Sequence, residues 1–211
     1  MALEPLDWNV VVVGYWNPAI LTPAGIAKRL FELQQSTPIM VEVPIDGLAP
    51  HRVRHDKITV TADPGRLVVA VDAPEFPLLE RAMTIAARAI TNLPETPFSA
   101  AGFNVRFRVT EPPAEMIRAI EAPVDSRISD AGFAIELRQL KRTLRYEKGS
   151  LNLDLRLGKS GDVRVELNFH MQSSDRTELT AWLATPIDSL RETTDRVLRE
   201  VLGAVAEGGK A

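Results

Sequence analysis

The side chains best able to do chemistry fall in three short stretches. On the runs 151–157 and 163–171, Asn152, Asp154, Arg156, Arg164, Glu166, Asn168 and His170 alternate with apolar residues. If Leu157 faces Val163 across the intervening turn, Asp154 lies opposite Glu166 and Arg156 opposite Arg164. A carboxylate pair suits a divalent cation or acid/base work, and with His170 it would equip a metal-dependent hydrolase or nucleic-acid-processing enzyme. The alternative is a solvated ion-pair ladder, with diagonals Arg156–Glu166 and Asp154–Arg164 relieving the like-charge contacts. The alternation favours the ladder, and no metal or other cofactor is expected.

The second stretch is His51-Arg52-Val53-Arg54-His55. In an extended chain His51 and His55 share one face and Arg52 and Arg54 the other. The histidines could begin a metal site, although no third ligand lies nearby, and the arginines could hold a phosphate or carboxylate; the favoured reading is a solvent-exposed loop entering a strand. The third stretch places Arg138, Lys141, Arg142, Arg145 and Lys148 along one strand and its exit. The favoured reading is structural pairing, in which acids of the neighbouring hairpin neutralise this strand; an acidic protein partner is the next. Nucleic acid fits less well, because Tyr146 is the only aromatic residue among these cations.

Composition narrows the field. The chain has no cysteine, which excludes disulfides, thiolate catalysis and Cys-ligated zinc or iron–sulfur centres. A formal charge of −3 gives no basic excess for nucleic acid or anionic membrane. No Gly-rich phosphate loop and no Ser-centred nucleophile elbow is present. No apolar run approaches the roughly 20 residues of a membrane span. The first residues carry acids and no basic region, so a signal peptide is not expected, and a cytoplasmic protein is.

The elements that must position these residues read clearly. Leu79, Met83, Ala86, Ala87 and Ile90 recur at helical spacing behind Pro77, and Asn92 and Pro94 end that helix. Ala101, Phe103, Val105, Phe107 and Val109 then alternate with Gly102, Asn104, Arg106 and Arg108, the pattern of a half-buried strand. Val10 to Val13 is an unbroken β-branched run, which marks a central strand or one covered on both faces. Thr22-Pro23 opens a helix with Ile26, Leu30 and Leu33 as its stripe, expected to run to about Gln35. Pro38 to Ile45 reads as an edge strand interrupted by Pro44.

Residues 46–50 read as a loop. Lys57–Ala62 and Arg66–Val71 form a hairpin about Asp63-Pro64-Gly65-Arg66, expected as a type II turn with Gly65 at positive φ. After Pro112-Pro113, residues 114–120 can form two helical turns, and 122–132 is turn-rich. Phe133 to Tyr146 is a long strand whose alternation slips between Leu137 and Leu140, suggesting a bulge. The hairpin 151–171 follows. Asp175 to Glu178 resembles a capping box, and Thr185-Pro186 opens the last helix with Ile187, Leu190, Val197, Val201 and Val205 on its inner side. Residues 207–211 read as a frayed polar tail.

With 45% apolar residues the chain can bury a sizeable core. The reading is α+β: antiparallel sheets with amphipathic helices on one face, in two similar strand–hairpin–helix halves. The halves are 1–111 and 133–211, joined by 112–132. The expected function is a non-enzymatic interaction or assembly module, a homo-oligomer with an acidic protein as a further partner class, acting through Arg138, Lys141, Arg142 and Arg145.

Overall fold

Apolar residues at every second position from Ala101 to Val109 bury one whole side of a strand, and that strand organises the molecule. The computed structural model describes residues 2–45 and 49–204. In chain order its strands are β1 (Ala2–Pro5), β2 (Asn9–Gly14), β3 (Met40–Glu42), β4 (Arg52–His55), β5 (Ile58–Asp63), β6 (Arg66–Val71), β7 (Phe98–Thr110), β8 (Leu137–Tyr146), β9 (Gly149–Gly158) and β10 (Val163–Gln172). Its helices are α1 (Pro23–Arg29), α2 (Phe76–Asn92), α3 (Ala114–Ile120), α4 (Val124–Asp130), α5 (Arg176–Leu183) and α6 (Ile187–Arg196), the last continuing as a π-helical turn, Val197–Val201.

All ten strands join one antiparallel sheet in the order β3-β4-β5-β6-β2-β7-β10-β9-β8. β1 continues the line of β2 and pairs with the far end of β7. The protein is therefore α+β, as its sequence pattern implied, but with one sheet rather than two. The break at Pro112-Pro113 falls between β7 and α3, and the sheet runs through it by way of the β7–β10 pairing. The strand order is nearly palindromic about β2 and β7. Outward from β2 come β6, β5 and β4, and outward from β7 come β10, β9 and β8. Each half runs a strand, a helical link, a meander and then helix, the meander having three strands in the second half and, with the short β3 added before β4, four in the first.

The helices lie on one face of the sheet. Val10, Val12, Val60, Leu67, Val69, Phe103, Val105, Val165, Leu167 and Phe169 point into that layer and are essentially inaccessible. Leu79, Met83, Ala86 and Ile90 of α2 meet them, as their spacing required. Trp8, Trp16 and Trp182 are all core residues. Trp8 donates its indole N–H to the Arg106 carbonyl at 3.0 Å, and Trp16 to that of Val12 at 3.1 Å. None of the three is exposed enough to anchor a partner.

Several local expectations change. α1 ends at Arg29, not near Gln35, because the chain turns at Glu32, whose φ is +57°. The turn-rich segment after residue 122 contains α4. Residues 133–136 do not extend β8, and the β8–β9 register is unbroken, so no bulge explains the shifted pattern. Instead Leu137 is on the open face and 56% exposed, while Arg138 turns to the helix face. Thr185 does not cap α6, since its hydroxyl donates back to the Trp182 carbonyl at 2.7 Å. Glu178 closes no box with Asp175, since its carboxylate accepts from the Ser173 hydroxyl at 2.6 Å. Val201 is 62% exposed, because the π-turn rotates it off the buried stripe. Val205, the 207–211 tail and residues 46–48 of the first-half loop lie outside the described residues.

The turn at Asp63-Pro64-Gly65-Arg66 keeps the expected register, with Ala62 opposite Leu67, Val60 opposite Val69 and Ile58 opposite Val71. Gly65, however, does not have positive φ, so the turn is not type II. Asp63 holds it: its Oδ1 accepts from the backbone N–H of Gly65 and of Arg66, each at 2.9 Å, and Oδ2 pairs with Arg66 at 3.0 Å. An aspartate at the first position is the signature of a type I turn. Gly65 is dispensable on this geometry, because a Cβ there would meet only Asp63 Oδ1, at 3.6 Å. Thermal unfolding should therefore show Gly65→Ala within about 0.5 kcal/mol of the parent, and Asp63→Ala destabilised by about 1 kcal/mol. The reverse order would restore the positive-φ turn.

Candidate interaction surface

Among the described residues the second face of the sheet carries no helix, and its polar side chains are arranged in rows across the strands. Alternation along each strand sends every second residue to this face, and the register lines those residues up. The best-formed row crosses five strands, Asn9, Asn104, Asn168, Asn152 and Thr143, each directly opposite the next. The Thr143 hydroxyl donates to Asn152 Oδ1 at 2.8 Å, and Asn152 Nδ2 to Asn168 Oδ1 at 2.9 Å. Asn168 Nδ2 donates to Asn104 Oδ1 at 2.7 Å, and Asn104 Nδ2 to Asn9 Oδ1 at 2.8 Å. Asn104, Asn168 and Asn152 each donate to one neighbour and accept from the other, and Asn9 ends the row as an acceptor. Asn104, at the centre, is only 6% exposed.

The next row is Arg106, Glu166, Asp154 and Lys141, and the row beyond it is Arg108, Arg164, Arg156 and Gln139. The expected juxtapositions of Asp154 with Glu166 and of Arg156 with Arg164 are present. Their neutralisation differs from the expected diagonals. Asp154 is held along its own strand by Arg156, at 2.7 Å, and by Gln139 and Lys141 of β8. Glu166 pairs with Arg106 of β7 at 3.0 Å, and Arg164 with Asp7 at 3.3 Å. These partners come from β7 and the segment between β1 and β2, which no local pattern could place beside β10.

Burial alone would raise the Asp154 carboxyl. The hydrogen bonds from Arg156 and Gln139 and the charges of Arg156 and Lys141 outweigh it, leaving the group below the ordinary 3.8 of an aspartate. Asp154 in turn raises Arg156. A low-lying carboxylate of this kind is an ion-pair partner rather than a proton donor near neutrality. His170 lies in a further row, opposite Gly102 and Ser150, with the asparagine row between it and the carboxylates. Asp154, Glu166 and His170 are therefore not brought together. Among the described residues no group of three or more His, Asp or Glu side chains converges as a metal site.

The 51–55 cluster divides across the sheet as its alternation implied. Arg52 and Arg54 lie on the open face, where Arg54 pairs with Asp72 at 2.6 Å and Arg52 lies 3.8 Å from Glu42. His51 and His55 lie beneath, beside buried Val53. His51 Nε2 is 3.1 Å from the Leu21 carbonyl, and the His55 ring packs edge-on against Phe31. The two histidines serve the packing around α1 and do not converge.

The cations of β8 also divide. Arg138 and Arg142 lie on the helix face, and Lys141 and Arg145 on the open face. Arg138 is tied to Asp125 of α4 at 2.6 Å, and that bond holds the Asp125 carboxyl below its ordinary value. Lys141 is 66% exposed and 3.8 Å from Asp154. Among the described residues Arg142 bonds only the Lys141 carbonyl, and Arg145 and Lys148 have no carboxylate partner. The signals that sequence reading missed are the asparagine row, the third arginine, Arg108, and the status of β8 as an outer strand paired on one side only. Comparison with family models, with curated proteins and with solved structures finds no match.

Two outcomes follow for this face. Asn168→Ala strands the buried oxygen of Asn104, so it should cost about 1–3 kcal/mol in chemical denaturation, and Thr143→Ala, at the open end of the row, well under 1 kcal/mol. Equal small losses would show that the row does not lock the register. Asp63, Asp125 and Asp154 all have folded values below the unfolded 3.8, so their contribution is complete above that pH and is lost as pH falls through the lower, folded values. Acid unfolding should therefore steepen below about pH 4, and Asp154→Asn should flatten that limb. An unchanged limb in this variant would remove Asp154 from the account.

Proposed function

We propose that the chain is a non-enzymatic interaction module that receives an extended segment along the free edge of β8. One observation carries this reading: β8 is ten residues long and, among the described residues, pairs only with β9 and ends the sheet. Tyr146 and Gly149 flank the two-residue turn into β9 and so form a hydrogen-bonded pair. Alternation then aims the N–H and C=O groups of Gln139, Lys141, Thr143 and Arg145 away from β9. A long edge of this kind templates the addition of another strand.

The homo-oligomer suggested by the edge alone meets a charge constraint. A symmetric antiparallel pair keeps each face of the sheet continuous, so its axis passes beside one residue and that residue's copy. Centring on Leu140 sets Arg138 against Arg142, and centring on Lys141 or Arg142 sets that residue against itself. Centring on Thr143 sets Lys141 against Arg145. Every register with extensive overlap thus opposes like charges, which disfavours it.

Light scattering tests the edge directly. The parent should remain monomeric at low salt. The variant Lys141→Gln, Arg142→Gln, Arg145→Thr should self-associate, and adding Thr143→Pro should reverse this, since proline removes an outward N–H while leaving the bonds to β9. A neutralised variant that stays monomeric with and without the proline would reject β8 as a pairing edge.

A further inference from the structure

We infer that the segment received by β8 is acidic, extended and antiparallel, with carboxylates alternating with apolar side chains. This rests on the edge reading above and adds the chemistry of the occupant. The molecule supplies a template at the other end of its sheet. β4 occupies the place in the first half that β8 occupies in the second, the outermost strand of a three-stranded meander. There the chain covers the edge itself, with β3 running antiparallel to β4. The covering sequence, Met40-Val41-Glu42, sets Val41 opposite buried Val53 and Glu42 opposite Arg52, with 3.8 Å between the charges. An apolar residue faces the core side and a carboxylate faces an arginine on the open side.

β8 repeats the requirement, and no strand of the described residues covers it. Leu140 and Leu144 lie on its helix face, with Leu144 39% exposed. Lys141 and Arg145 lie on its open face, and Arg142 stands between the two leucines. The strand contains no acid. Of the flanking carboxylates, Glu136 is engaged by Lys159 at 2.6 Å. The chain as a whole is net negative, so this cationic edge is a local departure and not part of a general basic surface. An added strand with Glu or Asp opposite Lys141 and Arg145, and apolar residues beside Leu140 and Leu144, satisfies backbone and side chains together. A nucleic-acid strand would find no stacking partner on the edge. Tyr146, the one aromatic residue of β8, is turned inward, its ring centroid 5.0 Å from that of Phe169 and 5.8 Å from that of Trp182.

The test uses the full chain and labelled peptides as long as β8, one alternating Val and Glu and one alternating Val and Gln, followed by fluorescence anisotropy. At low salt the acidic peptide should bind at least about tenfold tighter than the neutral one, and salt should narrow the gap. Lys141→Glu with Arg145→Glu should reverse the preference. Thr143→Pro should abolish binding, and so should N-methylation of alternate peptide amides, which leaves the protein untouched. Equal binding of both peptides, lost on N-methylation, overturns the acidic occupant and leaves strand addition standing. Acidic binding indifferent to both Thr143→Pro and N-methylation overturns strand addition and this inference with it. A single-stranded oligonucleotide that binds as tightly, and displaces the acidic peptide, assigns the cations to polyanions instead and overturns the inference. Absence of acidic-peptide binding at about 1 mM overturns it too, while the neutralised-variant experiment still decides the edge.

Discussion

Everything else in the molecule depends on β7 being paired along both of its edges. On one side it carries β2 and β1 in line, and on the other it carries β10 over ten positions. A strand held on both sides cannot slip by one residue without turning its whole apolar set to the wrong face. Asn104 strengthens that constraint. It is buried and bonded through its amide to Asn9 on one side and Asn168 on the other. A slip in either pairing would leave a buried amide group without its partner, a cost beyond the loss of the bond itself. The same row continues to Asn152 and Thr143, so the register of four successive strand pairs is tied to one line of hydrogen bonds. The near-palindromic order then follows from two meanders growing outward from a fixed centre.

Growth outward also explains why the two ends differ. Each added strand satisfies the previous edge and creates a new one. In the first half the chain ends this series with β3, a short strand. In the second half the helical link between β7 and β8 contributes α3 and α4 but no covering strand. α4 does reach β8 through the Asp125–Arg138 bond, but that contact lies on the helix face and leaves the backbone edge open.

Much of this architecture was legible because it is periodic. The strands β9 and β10, the helix α2 and the alternation of β7 all carry their burial pattern in the local sequence, and the structure places them accordingly. Three kinds of feature were not legible. The Gly65 turn was misread because Pro-Gly satisfies two turn types, and the choice was made by the Asp63 side chain. The β8 pattern was misread because an edge strand facing a helix accepts a long cation on its inner side when a carboxylate such as Asp125 meets it. The asparagine row was missed because its members lie on β2, β7, β9 and β10, and only non-local pairing makes them neighbours. The candidate site suffered most from this. Asp154 and Glu166 sit together as their hairpin implied, but two of the cations that neutralise them, Arg106 on Glu166 and Lys141 on Asp154, come from β7 and β8, elsewhere in the chain.

At the centre of the sheet β7 is met by a strand on both edges, and the charged rows are largely neutralised by residues of the same surface, Arg106 between Asp7 and Glu166 being a well-enclosed case at 14% exposure. A ligand approaching the centre of the open face would have to displace bonds already made, gaining little for each one broken. At β8 the one such bond to an outward backbone group, among the described residues, is that of the Arg142 guanidinium to the Lys141 carbonyl. On the proposed reading the backbone groups there would receive an extended chain, and the side chains beside them would select which chain. Attraction between exposed charges is weak pair by pair, so discrimination rests on repetition, with several cations set at strand spacing against a partner of the same period. That periodicity is a property of the strand itself. On the proposed reading it would require no pocket, and recognition would fall on the longer of the two strands that end the sheet, ten residues in β8 against three in β3.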